Sequence, residues 1–276
     1  MMKSVFSGIM LLLTAISVSA AELPKSATIE TVQKRGELRV GIVLQVPISY
    51  QDPRSGQLTG FALTIAREGA NRLGVPKVTF IQTSWDGAVA GLQANKYDIM
   101  AAGLVETEER KAAIDFVTVY ETGLCFLVQK SNTKLNTLDD IKDPNVRVAT
   151  MMGSGAEQVV KKYFPMVKLE SVPTVGGAGA PVELVLSGRA DASQVDHWVG
   201  EAWAKRYCEL KVVPPDCYKA VPYGLPVGWG VNRGDPGWRE FWQKVVTDYK
   251  QLMLDERERY SAFEYLFPNE KAPVCK

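Results

Sequence analysis

The sequence offers few residues of the types that carry out covalent or metal chemistry. It has a single histidine, His197, so a site built from several histidines is excluded and a Ser-His-Asp mechanism could use only this residue. None of the four cysteines forms a Cys-x-x-Cys pair, so neither a zinc ribbon nor thioredoxin-like chemistry has support. The glycine-rich stretch 176–181 lacks the spacing of a phosphate-binding loop, and we predict that it is a loop before a helix at Val182–Leu186. We therefore expect no metal and no cofactor.

Composition and charge narrow the class of protein further. The 276 residues are 46% hydrophobic, and 32 basic side chains face 31 acidic ones, for a formal net charge of +1. This hydrophobic content disfavours disorder, and the length suits one large or two modest domains. A chain so close to neutral is not expected to bind nucleic acid through bulk charge.

The first residues, Met1–Ala21, have the layout of a secretory signal peptide. Lys3 supplies the positive charge, Ile9–Val18 is mostly apolar, and small residues precede a cleavage site near Ala20/Ala21. The alternative is a membrane anchor, but the apolar run is too short to cross ~30 Å of hydrocarbon. We expect an exported, soluble protein.

Export makes disulfides an option for the cysteines. Cys208 and Cys217 bracket a short loop with two prolines, and a disulfide between them is permitted. Cys125 and Cys275 would then remain, either free or paired with each other, and the sequence leaves this open.

The rest of the chain alternates short apolar runs with amphipathic stretches, a pattern typical of α/β folds. The pattern predicts strands at Leu38–Ile42, at Val78–Gln82 and from Asp98, with helices at Phe61–Leu73 and Trp85–Ala94. The final stretch, Pro236–Phe267, is predicted to be helical and to pack its aromatic residues in a core.

These elements recur in the same order later in the chain. Val146–Thr150 matches the first strand, Val167–Val172 matches the second, and Leu92–Asp98 has a counterpart in Val185–Asp191. Three matches in order favour two lobes of like topology. Open α/β sheets bind ligands beyond the carboxyl ends of their strands, so two facing lobes would form a ligand cleft.

A set of short motifs in a fixed order carries a resemblance to a known family. The motifs are Gly36–Gly41, Gly56–Phe61, Trp85 with Leu92 and Lys96–Asp98, Thr107–Arg110, Ile114–Phe116 with Tyr120, and Gly188–Ala192 with Asp196. In this order the chain resembles the periplasmic solute-binding proteins of amino-acid ABC transporters, of the family-3 type.

The resemblance implies a two-lobed α/β fold. Each lobe would be an open, mainly parallel sheet flanked by helices, with the ligand cleft between the lobes. Residues 22–122 and 228–276 would form lobe one, and 123–227 lobe two.

On lobe one, the resemblance assigns the ligand's carboxylate to Arg110. A guanidinium presents a rigid fork that fits a carboxylate. The alternative is a surface arginine in a solvated turn beside Glu108 and Glu109. Backbone groups of Gly103 and Val105 would also bond the ligand, although the hydroxyls common there in the family are missing before Thr107.

On lobe two, the resemblance implies contacts from Ser154, Gly155 and Asp196. Ser154 and Gly155 begin a helix whose N–H groups favour an anion; Ser154 could also be a simple N-cap. Asp196 would bind the ligand's ammonium, with helix capping as the alternative.

The side-chain end of the pocket is less defined. Tyr50, Trp85, Tyr120 and Trp198 are candidate wall aromatics, with core packing as the alternative, and His197 could contact the ligand or point to solvent. The segment from Val43 has no acid before Asp52. Relatives that take basic amino acids place an acid there, which argues against lysine or arginine.

The resemblance therefore predicts a periplasmic, monomeric binding protein without catalytic residues. It would capture an amino acid or a similar zwitterion and deliver it to an ABC transporter permease. The alternative is an enzyme on the same scaffold, resembling cyclohexadienyl or arogenate dehydratases. Glu183 and Glu201 are the acids considered for that role.

Overall fold

A computed structural model describes residues 23–52, 55–173, 179–217 and 225–260. The predicted leader, Met1–Ala21, lies outside these ranges, as does Cys275, and the side chains of His197 and Trp198 are not described. None of the helices in these ranges is long and apolar enough to cross a lipid bilayer.

The first lobe is built on a sheet of five strands in the order β4-β1-β5-β12-β6. Its elements are α1 (Ala27–Arg35), β1 (Glu37–Ile42), β2 (Tyr50–Gln51), β3 (Leu58–Thr59), α2 (Phe61–Arg72), β4 (Lys77–Gln82), α3 (Ala88–Gln93), β5 (Ile99–Val105), α4 (Glu108–Ala113), β6 (Asp115–Thr122), β12 (Leu225–Val231), α9 (Pro236–Asp248) and α10 (Lys250–Tyr260).

The second lobe is built on a sheet of five strands in the order β11-β7-β10-β8-β9. Its elements are β7 (Cys125–Gln129), α5 (Leu138–Ile141), β8 (Arg147–Met151), α6 (Gly155–Tyr163), β9 (Lys168–Val172), α7 (Ala180–Leu186), β10 (Ala192–Val195), α8 (His197–Arg206) and β11 (Leu210–Val213).

The two sheets have the same topology. In each, three strands pair in parallel, and one strand, β12 or β7, runs antiparallel to both of its neighbours. Four of the five strands in each sheet therefore share a direction, which confirms two like lobes with mainly parallel sheets. The lobe boundaries at 122/123 and 227/228 remain predictions; β12 begins at Leu225.

The repeated sequence pattern has a structural cause. In lobe one, Asp98 accepts hydrogen bonds from the backbone N–H and the guanidinium of Arg39. In lobe two, Asp191 does the same for Arg147. In each lobe, the aspartate directly before one strand (β5 or β10) thus holds the start of the neighbouring parallel strand (β1 or β8). The Arg147 guanidinium holds the pKa of Asp191 below its usual range.

The C-terminal helices complete the core of lobe one. Trp238 and Trp242 of α9 are buried beside Trp229, and the Trp238 indole N–H donates to the Asp98 carbonyl over 2.9 Å. This confirms the predicted packing against lobe one, and Tyr249 is partly buried against the same core.

The cysteines pair differently from the option that the sequence suggested. Cys125 at the start of β7 is bonded to Cys217, with 5.2 Å between their Cα atoms. A Cys208–Cys217 disulfide is therefore wrong, and so is a Cys125–Cys275 pair; Cys208 is disulfide-bonded as well. The prediction relied on the short distance in sequence between Cys208 and Cys217. In the structure, antiparallel pairing of β11 with β7 instead brings the segment after Val213 close to Cys125.

Two helix boundaries also differ from prediction. The helix expected from Trp85 begins at Ala88, because residues 85–87 form a turn. The helix expected from Val182 begins at Ala180, with Pro181 in its first turn, where a missing N–H costs nothing.

We predict that Asp191→Asn lowers the free energy of unfolding by about 1–2 kcal/mol, because it removes charge-assisted hydrogen bonds at a partly exposed site. Because the folded pKa of Asp191 is lowered, its contribution exists above the unfolded value near 3.9 and is lost as pH falls below it. Thermal melts at pH 7 should separate variant and wild type, and the difference should shrink as the pH falls below about 3.9 and vanish once it is below the folded pKa. Asp139→Asn, at an exposed carboxylate, is the control; equal melting of all three at pH 7 would contradict the prediction.

Candidate functional site

A cavity of about 430 Å³ lies between the lobes, at the carboxyl ends of the strands. Lobe one contributes Leu44, Gln45, Val46, Tyr50, Gln51, Trp85, Gly103, Val105, Thr122 and Leu225. Lobe two contributes Met151, Ser154, Gly155, Ala156, Val159, Pro181, Ser193, Gln194, Val195, Asp196, Val199 and Trp203. The volume lies within the range of about 300–1,000 Å³ typical of small-molecule sites.

The cavity brings together most of the residues that the sequence singled out. Those that line it are Tyr50, Trp85, Gly103, Val105, Ser154, Gly155 and Asp196. Arg110 does not line it, Tyr120 borders a different depression, and the side chains of His197 and Trp198 lie outside the description. Contact of any of these residues with a ligand remains a prediction.

Asp196 connects the lobes at the cavity wall. It occupies the N-cap position of α8, but its side chain makes no capping hydrogen bond. Its carboxylate instead accepts from the Thr122 hydroxyl over 2.5 Å and from the Gln45 amide over 3.4 Å. The carboxylate is thus held toward the cavity by residues of the other lobe, which does not fit the capping alternative.

Gln45 is a site residue that sequence reasoning missed. Its Nε2 donates to Asp196, while its Oε1 is buried and has no hydrogen-bond partner. An amide oxygen and a carboxylate therefore lie side by side at the cavity, as two acceptors for one donor-rich group. Its position in an irregular segment after β1 gave no periodic signal that would have found it.

The N-terminus of α6 forms another part of the wall. Ser154 caps the helix by accepting from the Glu157 N–H, so the N-cap alternative is confirmed. The N–H groups of Gly155 and Ala156 have no acceptor among the described residues, and both residues line the cavity. Unpaired N–H groups at a helix start attract an anion.

Arg110 lies behind this wall. It is only 4% exposed, so it is no solvated surface arginine. Its guanidinium donates to the Val105 carbonyl over 3.0 Å and to the Gly153 carbonyl of lobe two over 2.9 Å. Burial lowers its pKa to about 10, which leaves it protonated at neutral pH. The side chain therefore carries a positive charge to the point where the lobes meet.

The loop that Arg110 reaches is fixed from its other side by Glu157. Burial alone would raise the pKa of Glu157, but hydrogen bonds from Ser171, the Gly153 N–H and Lys161 outweigh it and hold that pKa below its usual range. Gly153 thus donates to one charged group and accepts from another, and this positions the start of α6.

Two glycines allow the lobes to approach each other. Gly153 has φ +70, and a Cβ there would lie 2.7 Å from the Asp86 backbone. A Cβ on Gly155 would overlap the Val105 side chain. A glycine at position 155 is therefore explained by packing between the lobes.

Two further polar atoms of the cavity wall have no partner. The indole N–H of Trp85 and the hydroxyl of Ser193 are buried without a hydrogen bond, and their residues are 4% and 1% exposed. Buried polar groups are rarely left unpaired, and both atoms belong to residues that line the cavity. Within the described ranges, no cluster of His, Cys, Asp and Glu could hold a metal ion.

We predict that Arg110→Met destabilises the protein by about 1–3 kcal/mol, since it removes the guanidinium donor of the Gly153 carbonyl and one of the two donors of the Val105 carbonyl, which keeps the Thr107 N–H. Lys111→Met, a change to the same residue type at a more exposed neighbour, should cost far less. Thermal melts of the two variants at neutral pH make the comparison, and equal losses would refute a structural role for the guanidinium.

Comparisons with known proteins agree with this geometry. The family described as bacterial extracellular solute-binding proteins, family 3, matches residues 38–256. A probable amino-acid ABC transporter periplasmic-binding protein of Sinorhizobium fredii is 25% identical over 250 residues, 85% of this chain and 81% of that protein. Among solved structures, the ancestral amino acid-binding protein AncCDT-1, a precursor of cyclohexadienyl dehydratase, is 32% identical with a TM-score of 0.71, over 86% of this chain and 100% of that one.

A second solved structure is an amino acid ABC transporter substrate-binding protein from Streptococcus pneumoniae bound to L-arginine. It is 26% identical with a TM-score of 0.72, over 85% of this chain and 97% of that one. The family match spans well over half of the sequence, and the chain therefore belongs to the family-3 bacterial extracellular solute-binding proteins.

Proposed function

We propose that this protein captures a free amino acid, or a similar small zwitterion, in the cavity between its lobes. The observation that carries the proposal is a pair of unlike polar features in the lining of one cavity. Asp196 and the Gln45 amide oxygen supply acceptors, while the start of α6 supplies unpaired N–H donors. An ammonium group fits the former and a carboxylate the latter.

The ammonium site would use both lobes. An ammonium group has three donors, and Asp196 and Gln45 present their oxygens from lobe two and lobe one respectively. Thr122 orients the Asp196 carboxylate by a hydrogen bond. A cation at this position would pair with the Asp196 carboxylate as it is withdrawn from water.

The carboxylate site would use backbone donors supported by Arg110. The N–H groups of Gly155 and Ala156 carry the partial positive charge of the helix start. Arg110 stands behind them and holds the Gly153 carbonyl. In this arrangement it would support the anion site through its charge and position, and the direct contact that the family resemblance assigns to it would require its guanidinium to reach the cavity.

Binding would favour the closed arrangement of the lobes. A ligand that touches both Asp196 and α6 on lobe two and Gln45 on lobe one binds the closed form better than an open one, and so shifts the population toward it.

We further propose that the protein delivers its ligand to an ABC transporter permease from the periplasm, which the names of the relatives support. The predicted leader, cleaved near Ala20/Ala21, supports export, and we propose that the protein acts as a monomer.

We predict that Asp196→Asn weakens amino-acid binding by about 2–5 kcal/mol, or 30-fold and more, because the ammonium loses its charged partner. Titration calorimetry at neutral pH measures the change. Asp139→Asn, at an exposed carboxylate far from the cavity lining, should bind like the wild type. Wild-type affinity in Asp196→Asn, with an unchanged melting temperature, would overturn the ammonium site.

We also predict that Gly155→Thr weakens binding at least tenfold, since the new side chain meets Val105 and holds the lobes apart. Lys162→Thr adds the same residue to the exposed side of the same helix and serves as the control. Small-angle scattering with saturating ligand should show a smaller radius of gyration for the control than for Gly155→Thr. Equal compaction and equal affinity would contradict this account of closure.

Turnover is the second candidate, because one similar solved structure is named as a precursor of cyclohexadienyl dehydratase. Such an enzyme needs an acid that can donate a proton in the cleft. Among the described lining residues Asp196 is the only acid, and neither Glu183 nor Glu201 lines the cavity. We propose binding without turnover.

We predict that incubation of the protein with prephenate yields no phenylpyruvate above the rate in buffer alone. Production of phenylpyruvate by the protein would favour the dehydratase.

A further inference from the structure

The described part of the cavity wall has few side chains that could pair with a charged ligand group. Of the described residues that line it, Asp196 is the only Asp, Glu, Lys, Arg or His. The internal stretches outside the described residues, 53–54, 174–178 and 218–224, contain no aspartate or glutamate. A ligand's ammonium would use the single carboxylate, so nothing comparable remains for a second cationic group.

A charged ligand side chain would therefore be costly in this cavity. An ion moved out of water into an apolar site loses its hydration and needs a paired charge to offset the loss. Arg110, the nearest buried cation, donates to two carbonyls behind the wall and does not line the cavity. Among the described residues, the lining thus offers no second counter-ion for an arginine-like side chain and none for a glutamate-like one.

The rest of the wall is suited to a large apolar group. Tyr50 and Trp85 from lobe one and Trp203 from lobe two give it aromatic surfaces, and valines, leucines and a methionine fill the spaces between them. The Trp85 indole N–H and the Ser193 hydroxyl remain for one or two polar ligand atoms. In a cavity of about 430 Å³, a very small ligand would leave much of this surface without contacts.

We propose that the ligand is an amino acid with a large, uncharged side chain, and that aromatic amino acids are bound best. The inference rests on the proposed function, because it assumes that the ammonium and carboxylate groups are held as described above. It sets this chain apart from the similar protein solved with L-arginine.

Titration calorimetry of the full exported chain, freed of bound ligand, tests the inference with phenylalanine, tyrosine, tryptophan, leucine, methionine, alanine, arginine, lysine and glutamate. We expect the best aromatic ligand to bind at least 50-fold more tightly than alanine or any charged amino acid. Tightest binding of arginine, lysine or glutamate, or equal binding of alanine, would overturn the inference and leave the proposed function standing. Binding of none of the nine would overturn the proposed function itself.

A charge-gain variant tests the physical reason. Gln194 lines the cavity, and Gln194→Glu adds a second carboxylate at nearly constant shape. Arginine should then bind at least tenfold more tightly than to the wild type, while the aromatic ligand binds more weakly. Gln57→Glu, at an exposed residue outside the cavity lining, is the matched control and should change neither affinity. Unchanged arginine affinity in Gln194→Glu would contradict the charge argument.

Discussion

The contact between the lobes depends on how one carboxylate, that of Asp196, is held at a largely apolar cavity. A charge that is partly withdrawn from water is stabilised by hydrogen bonds and by an opposite charge, which offset its lost hydration. Thr122 and Gln45 supply the hydrogen bonds from the opposite lobe. In our account a ligand cation supplies the opposite charge, so binding and lobe contact stabilise each other.

The second contact between the lobes lies at the start of α6 and is made mostly by backbone. Arg110 donates to the Gly153 carbonyl, and Gly153 and Gly155 lie so close to lobe one that a side chain at either position would collide with it. The same turn that brings unpaired N–H groups to the cavity therefore also sets the distance between the lobes. A substitution there acts on closure and on ligand binding together.

Much of the fold followed from the sequence because its signals are local and repeated. The pairs Arg39–Asp98 and Arg147–Asp191 mark the same strand junction in each lobe, and Trp238 and Trp242 recur at helical spacing on a buried face. The Cys125–Cys217 disulfide did not follow, because it joins residues 92 positions apart that only sheet pairing brings together. Gln45 did not follow either, since its role depends on a contact with Asp196 across the lobes. Arg110 was singled out by resemblance, yet its bonds to two backbone carbonyls could not be read from residue types.

Native mass spectrometry of the protein, purified without denaturation, tests the central claim most directly. The account predicts an adduct that is lost on unfolding and whose mass is that of a single amino acid with an uncharged side chain. A stable adduct that lacks an amino group, or one that carries several negative charges, would contradict it, because neither could satisfy the lone carboxylate of Asp196 at the cavity wall.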